Sequence, residues 1–100
     1  QTTPVLASAV NSTNASTPNP LTASVAVTAD GLAVAASLCG NTGSFTWNNG
    51  WTEGTDQSFS SSNSTSADHA VTANGTATAS ATHTSQNKRV LVAASLSVAR

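Results

Sequence analysis

Glu53 and Asp56 are the two carboxylates whose spacing could support acid–base chemistry. Glycoside hydrolysis, the reaction that such a pair would serve, needs two carboxyl groups roughly 5 to 9.5 Å apart on either side of the bond that is cleaved. Residues three positions apart in an extended segment are separated by about this distance, but their side chains point to opposite faces. The spacing therefore favours turn and edge residues over a catalytic pair.

Asp68, His69 and His83 are the other candidates for catalysis, because with a serine or Cys39 they could form a triad on paper. Neighbouring side chains on a strand point to opposite sides, so Asp68 cannot orient His69. The cysteine and histidines lack zinc-ligand spacing, and the acidic residues are too sparse for a calcium loop. A His69 and His83 pair across adjacent strands is the remaining metal hypothesis. We predict no catalytic residue, no metal site and no cofactor.

Trp47 and Trp51 are the best candidates for a binding site. Aromatic faces on loops stack on sugar rings, and a lectin-like module needs little more than such a platform with amide and carboxylate groups beside it. The polar groups of this hypothetical glycan site would come from Asn48, Asn49, Glu53 and Asp56.

The same two tryptophans are also the largest side chains available to fill a core, since all four aromatic residues lie between Phe45 and Phe59. Trp47 shares a strand face with Phe45 by period-two spacing, so we predict that Trp47 is a core residue. Trp51 follows the Asn48-Asn49-Gly50 turn, and we predict that it is the more exposed of the two.

The composition limits the classes of protein to which the chain can belong. Charged residues make up 7% of its 100 residues, against about 25% in an average soluble domain. Lys88-Arg89 is the only adjacent basic pair, so we expect no nucleic-acid partner. No apolar run approaches the roughly 18 residues of a membrane span, and we expect no membrane partner. Because the chain starts at Gln1 rather than Met, we expect a processed precursor or a fragment.

The alternation of apolar and polar residues from Leu21 to Ala29 predicts a half-buried strand. Asp30-Gly31 follows it, and this dipeptide is typical of a type I′ turn. A hairpin closed there pairs Val27 with Val34 and puts the bulky residues of both strands on one inner face, including Leu32 and Leu38. The pattern therefore predicts a hairpin between the two segments.

A second hairpin is predicted at Asn74-Gly75, where a three-residue loop pairs Val71 with Ala77, His69 with Ala79 and Ala67 with Ala81. Further strands are predicted over Val5 to Val10, before a loop from Asn11 to Pro20, and over Lys88 to Val98. One or two more are expected between Thr52 and Ser66, around Phe59. Cys39 should be an inert small residue inside an Ala-rich strand.

Seven or eight short strands without helical periodicity predict an all-β fold. Two antiparallel sheets packed face to face, in a β-sandwich of jelly-roll or Greek-key type, accommodate them. We predict a single β-sandwich domain over residues 1–100, in which 1–4 and 99–100 are flexible ends or connections.

The segment Phe45-Thr46-Trp47-Asn48-Asn49-Gly50-Trp51-Thr52-Glu53 carries a resemblance to a known group of domains. A Thr-rich opening strand and an Ala-Asp-Gly turn precede it, and a Ser/Thr-rich middle, an Asn-Gly turn and a closing Val-Leu-Val-Ala-Ala strand follow. The chain from about Pro4 to Leu96 resembles small β-sandwich domains of bacteriophage virion proteins and bacterial surface proteins, which are distantly similar to concanavalin-like jelly rolls. The resemblance implies a structural or surface-attachment module rather than an enzyme.

We therefore expect a non-enzymatic structural protein, located on a virion surface or outside the cell. It would be a repeated bacteriophage component, as a capsid decoration or a tail or fibre module, or an extracellular filament subunit. Low charge removes one barrier to self-association, and strand edges can be extended by a neighbour, so the expected partners are further copies or other virion or filament proteins. The alternative is a carbohydrate-binding or adhesive module that uses Trp47 and Trp51 to bind surface glycans.

Overall fold

The computed structural model of the protein describes residues 5–85 and 88–97, and the regular structure in these ranges is all β. This confirms the predicted fold class, with eight strands in two antiparallel sheets. The terminal segments 1–4 and 99–100, predicted to be flexible, lie outside the described residues, as does Val98. The strands are β1 (Val5–Thr13), β2 (Leu21–Val27), β3 (Leu32–Cys39), β4 (Phe45–Trp47), β5 (Thr52–Ser58), β6 (Asn63–Ala70), β7 (Gly75–His83) and β8 (Arg89–Leu96).

The two sheets differ in size. The large sheet has the strand order β1-β8-β3-β6-β5, and the small sheet has the order β2-β7-β4. Every second residue of β2 is buried, as its alternating sequence predicts, and β7 contributes alanines to the same interior. The interior is therefore a thin layer of alanine and valine with a few larger side chains, which include Leu21, Leu91 and Trp51.

The predicted hairpin at Asp30-Gly31 is wrong, because the chain changes sheets there. β2 pairs with β7, whereas β3 pairs with β6 and β8. The local turn also differs from the predicted type I′ turn: the Gly31 amide donates to the Thr28 carbonyl at 3.0 Å, so Ala29 and Asp30 are the central residues, and of Asp30 and Gly31 only Asp30 has a positive φ, of 67°. A Cβ at position 31 would lie 2.5 Å from the Leu96 carbonyl oxygen, which is why glycine is needed at this crossing.

The second predicted hairpin is wrong for the same reason. β6 lies in the large sheet and β7 in the small one, so Val71 does not face Ala77 across a ladder. The two connections run side by side instead: the Asp30 amide donates to the Val71 carbonyl at 2.9 Å, and the Val71 amide donates to the Gly31 carbonyl at 3.1 Å. The Asn74 side chain accepts from the Ala29 amide at 2.8 Å. Both turn motifs thus form crossover connections that fasten one end of the sandwich.

The face of β3 that points inward is also the opposite of the prediction. Ala33 and Ala35 are buried, while Leu32, Val34 and Leu38 are exposed. Small side chains on the inner face of β3 leave room for the larger residues that β2 and β8 bring into the thin interior. The bulky residues of β3 therefore lie on the outer surface of the large sheet.

These residues belong to a continuous apolar surface on β1, β8 and β3. We call it the outer apolar face and define it by Val10, Leu32, Val34, Leu38, Val90 and Val92. Val10 is 70% exposed, Leu38 is 52% exposed and Val92 is 43% exposed. Since lone surface valines are ordinary but a contiguous row across three strands is not, this face requires an explanation.

The remaining strand predictions are confirmed with shifted bounds. The opening strand runs on to Thr13, so the loop that follows it is shorter than expected. β5 and β6 are the two strands expected around Phe59, which lies exposed in the turn between them. Cys39 is buried at the end of β3 as predicted. Within the described ranges, no helix is long and apolar enough to cross a membrane.

Candidate functional site

Three stacked rings form the aromatic centre of the molecule. The Trp47 and Trp51 ring centroids are 6.2 Å apart, and those of Trp51 and His69 are 5.4 Å apart, with interplanar angles of 28° and 26°. The stack depends on the turn between the tryptophans, where Asn49 has a φ of 60° and Gly50 a φ of 79°. Positive φ at two successive residues reverses the chain and brings Trp51 back beside Trp47.

The order of burial of the two tryptophans is the reverse of the prediction. Trp51 is only 6% exposed, and its Nε1–H donates to the Thr78 carbonyl at 3.0 Å. Trp47 is half-buried, and its Nε1–H donates to Thr65 Oγ1 at 2.8 Å. Trp47 does share its strand face with the buried Phe45, as predicted. The tight turn swings Trp51 inward between the sheets, an effect that the spacing along the chain does not reveal.

Asn48 and Asn49 use their amides to attach this turn to β7. The Asn48 amide nitrogen lies 3.3 Å from both Ser80 Oγ and Thr82 Oγ1. The Asn49 amide donates to the Thr78 carbonyl at 3.2 Å. Both side chains of the predicted glycan site are therefore already engaged within the molecule.

Glu53 and Asp56 lie on one face of β5, not on opposite faces as expected. A β-bulge between Glu53 and Thr55 inserts one extra residue, so that Glu53 faces Ala67 and Asp56 faces Thr65, two residues of β6 that both point inward. Partial burial and then the negative charge of Asp56 raise the pKa of Glu53. The bulge thus brings the two carboxylates together, although the regular spacing of a strand would separate them.

Asp56 has a structural role in this arrangement. Its Oδ2 accepts from the Phe45 amide at 3.0 Å, and its Oδ1 accepts from the Asn63 side-chain amide at 2.9 Å. Asn63 is fully buried and accepts in turn from His83 Nε2 at 3.0 Å. These bonds join β5, β6 and β7 through one chain of polar side chains, so Asp56 links the two sheets.

His83 is buried and neutral in this chain. Its Nδ1 accepts from the Ser85 amide at 3.0 Å, which assigns the proton to Nε2, the atom that donates to Asn63. Burial and then the positive charge of Arg89 lower the pKa of His83, while Asp56 acts in the opposite direction. The imidazole therefore serves as a neutral hydrogen-bonding group and not as an ion.

We expect this histidine to make the protein sensitive to acid. Because the folded pKa lies below the ordinary value of 6.5, the unfolded chain takes up the proton first. The contribution of His83 to stability is complete above pH 6.5 and is lost progressively as the pH falls from that value through the lower folded pKa. Urea unfolding between pH 8 and pH 5 should show the decline, and His83→Gln should flatten it while His69→Gln keeps it. An unchanged slope in His83→Gln would refute the assignment.

The structure does not have the geometry that the His69 and His83 metal pair or the catalytic triad would need. His69 is on β6 and His83 on β7, which belong to different sheets, so they are not a pair across adjacent strands. Asp68 is exposed while His69 stacks inward on Trp51, which confirms that Asp68 cannot orient its neighbour. Among the residues that the structure describes, no group of three or more His, Cys, Asp or Glu side chains could hold a metal ion.

Sequence reasoning missed a buried arginine. Arg89 is 3% exposed, and its guanidinium donates to Asn19 Oδ1 at 3.0 Å and to the carbonyl of Pro18 at 2.6 Å. Asn19 also exchanges two hydrogen bonds with the His83 backbone, both at 3.1 Å. The sequence carries only part of the signal: period-two spacing puts Arg89 on the same strand face as Leu91, but both faces of β8 are apolar, so the sequence does not decide which of them points inward.

No known protein family, curated protein or solved structure matches the chain. The resemblance to virion and surface domains therefore stays a prediction. The geometry itself shows a site whose aromatic rings stack on one another and whose indole N–H groups and amides are bonded to neighbouring hydroxyl groups or to the backbone. Such an arrangement stabilises the sandwich.

Proposed function

We propose that this chain is a non-enzymatic structural module that works through contacts between its surface and its neighbours in a larger assembly. The observation that carries the proposal is the outer apolar face on β1, β8 and β3. Exposed apolar patches of more than a few hundred Å² are rare on monomeric proteins and mark sites of association. Covering a surface with valine and leucine in adjacent strands lowers the free energy, because it removes apolar side chains from water.

The polar and aromatic groups of the candidate site are buried or hydrogen-bonded within the chain, and this supports the same proposal. Trp51 is buried, both indole N–H groups have acceptors, and Asp56 joins the two sheets. The carbohydrate-binding alternative needs these groups to face a ligand, so it has less support and we do not propose it as a second function.

We further propose the setting that the resemblance implies: a repeated component of a bacteriophage virion, as a capsid decoration or a tail or fibre module, or a subunit of an extracellular filament. The composition supports this setting. Only 7 of 100 side chains carry a formal charge, from 3 Lys and Arg and 4 Asp and Glu, so repulsion between copies is small. The module would lie on the virion surface or outside the cell.

Self-assembly is the property that tests this function. We expect the sedimentation coefficient of the purified chain to rise with concentration, because the outer apolar face is exposed in the monomer. Electron micrographs of the native source should show the chain on a particle or in a filament. A chain that stays folded and strictly monomeric at its highest soluble concentration, and that is found on neither kind of structure, would overturn the proposal.

A further inference from the structure

We propose that the outer apolar face is covered by the same face of a second copy of this chain, related by a two-fold axis that runs along β8. This inference rests on the proposed function and specifies its partner. The axis lies midway between the two facing sheets, so that β8 packs on β8 and the β1 strand of each copy packs on β3 of the other. The contact is isologous and closes as a dimer.

The register of the three strands supplies the first argument. β8 is the middle strand, and Val92 on it is flanked by Val10 on β1 and by Ala36 on β3. Rotation about an axis along β8 places the protruding Val10 over Ala36 of the partner subunit. The rows on either side repeat this arrangement of one large and one small flanking residue: Ser12, Val90 and Leu38 in one, and Ser8, Ala94 and Val34 in the other.

The shape of the surface agrees with this pairing of residues between the two copies. A shallow groove of about 260 Å³ passes over the small residues Ala36 and Ala94, and Val10, Val34 and Val92 form its sides. Val10 is the most exposed large apolar residue of the face. A groove lined by alanine beside a protruding valine is the shape that packs against its own rotated copy.

Charge supplies the second argument. β1 and β3 contain no charged residue, and the one charged residue of β8, Arg89, is buried. Asp68 on β6 is exposed beyond the edge of the apolar strip. A neutral face can meet itself without the repulsion that like charges would cause. A strongly charged partner, such as a basic protein surface, would find no complementary group on these three strands.

The area of the face suits a weak dimer. The exposed fractions of its valine and leucine side chains correspond to roughly 400 Å² of surface on each copy. Burying both copies removes about 800 Å² from these side chains, which is below the range of stable protein–protein interfaces and within that of weak, transient ones. The dimer should therefore depend on concentration.

The alternative two-fold axis, perpendicular to the strands, makes the geometry testable. It would place each strand over its own copy, so that Val10 would meet Val10 of the partner subunit and Ala36 would meet Ala36. The largest protrusions would then collide while the groove stayed empty. The axis along β8 instead pairs a large flanking residue with a small one in the rows of Val90, Val92 and Ala94.

Cross-linking distinguishes these arrangements. Facing sheets are about 10 Å apart, so a bis-maleimide reagent with a spacer of about 8 Å can join two cysteines across the contact. We expect Val92→Cys to cross-link with itself and a mixture of Val10→Cys and Ala36→Cys to cross-link as a heterodimer. Val10→Cys alone should stay largely uncross-linked. The unmodified chain is a control because Cys39 is buried, and Thr22→Cys on the small sheet is a second one.

Failure of these cross-links would overturn the inference. If Val92→Cys reacts no better than Thr22→Cys, another surface or partner covers the face. If Val10→Cys cross-links with itself as well as with Ala36→Cys, the axis is wrong. All of the substituted positions are exposed, so the variants should fold as the unmodified chain does.

A charge placed on the axis gives an independent measurement. Val92→Lys puts two ammonium groups against each other in the dimer, and we expect the dissociation constant to rise by about 100-fold or more in sedimentation equilibrium. Thr22→Lys should leave it unchanged. If the chain assembles and Val92→Lys has no effect, the inference fails while the proposed function stands. A wild-type chain that never associates with itself would overturn the inference, and its absence from every particle or filament would overturn the proposed function as well.

Discussion

Replacing Trp51 by alanine should lower the free energy of unfolding by about 3 to 5 kcal/mol. Trp51 is buried in the main core cluster and stacks between Trp47 and His69. The inner residues around it are largely alanines, which have no flexible side chain that could fill the cavity. A domain of this size has only about 5 to 15 kcal/mol of stability in total, so the variant should be largely unfolded at modest urea concentrations.

Two further variants serve as controls for this prediction. Trp47→Ala should cost less, because Trp47 is half-buried, and Phe59→Ala should cost almost nothing, because Phe59 is 53% exposed. Urea unfolding followed by far-UV circular dichroism measures all three variants. If Trp51→Ala lost less than Trp47→Ala, the order of burial described here would be wrong.

Arg89→Ala should lower the free energy of unfolding by about 3 kcal/mol, because it removes a buried side chain and the charged hydrogen bonds that its guanidinium donates. The guanidinium binds Asn19 and three carbonyls of the loop between β1 and β2, those of Ala15, Ser16 and Pro18. Arg89→Lys should recover only part of the loss, since one ammonium group cannot reproduce the planar fork. The loop should also become the first site of limited proteolysis.

Lys88→Ala is the matched control for this effect. Lys88 is the neighbouring cation, but it is exposed, so its removal should change stability by less than about 0.5 kcal/mol. Equal effects of the two substitutions would show that net charge, and not the hydrogen bonds of Arg89, determines the result.

The strands were predictable from the sequence because each one carries its own period-two pattern. β2 shows this best, since burial follows the alternation of its sequence at every position. The partner of each strand was not predictable, because Asp30-Gly31 and Asn74-Gly75 specify only the local direction of the chain. A tight turn allows either a hairpin or a crossing to the other sheet, and the choice depends on ladders formed by residues far away in the sequence.

The residues of the candidate site were predictable from the sequence, but their arrangement in space was not. The cluster from Trp47 to Asp56 does come together, but the positive φ angles at Asn49 and Gly50 reverse the order of burial of the tryptophans. The bulge beside Gly54 reverses the relation between Glu53 and Asp56. The turn reverses the direction of the chain and the bulge shifts its register by one residue, and a count of residues along the sequence detects neither effect.

The pattern of strand pairing has a consequence for how the chain folds. Of the six strand pairings among the described residues, only β5 with β6 joins strands that are consecutive along the chain. Folding dominated by contacts between distant segments is slow, in the range of milliseconds to seconds. β1 pairs only with β8, so during synthesis at about 5 to 20 residues per second it must wait several seconds for its partner. For that interval β3 also lacks β8, and the growing chain presents two open apolar edges that a chaperone or a neighbouring copy can occupy.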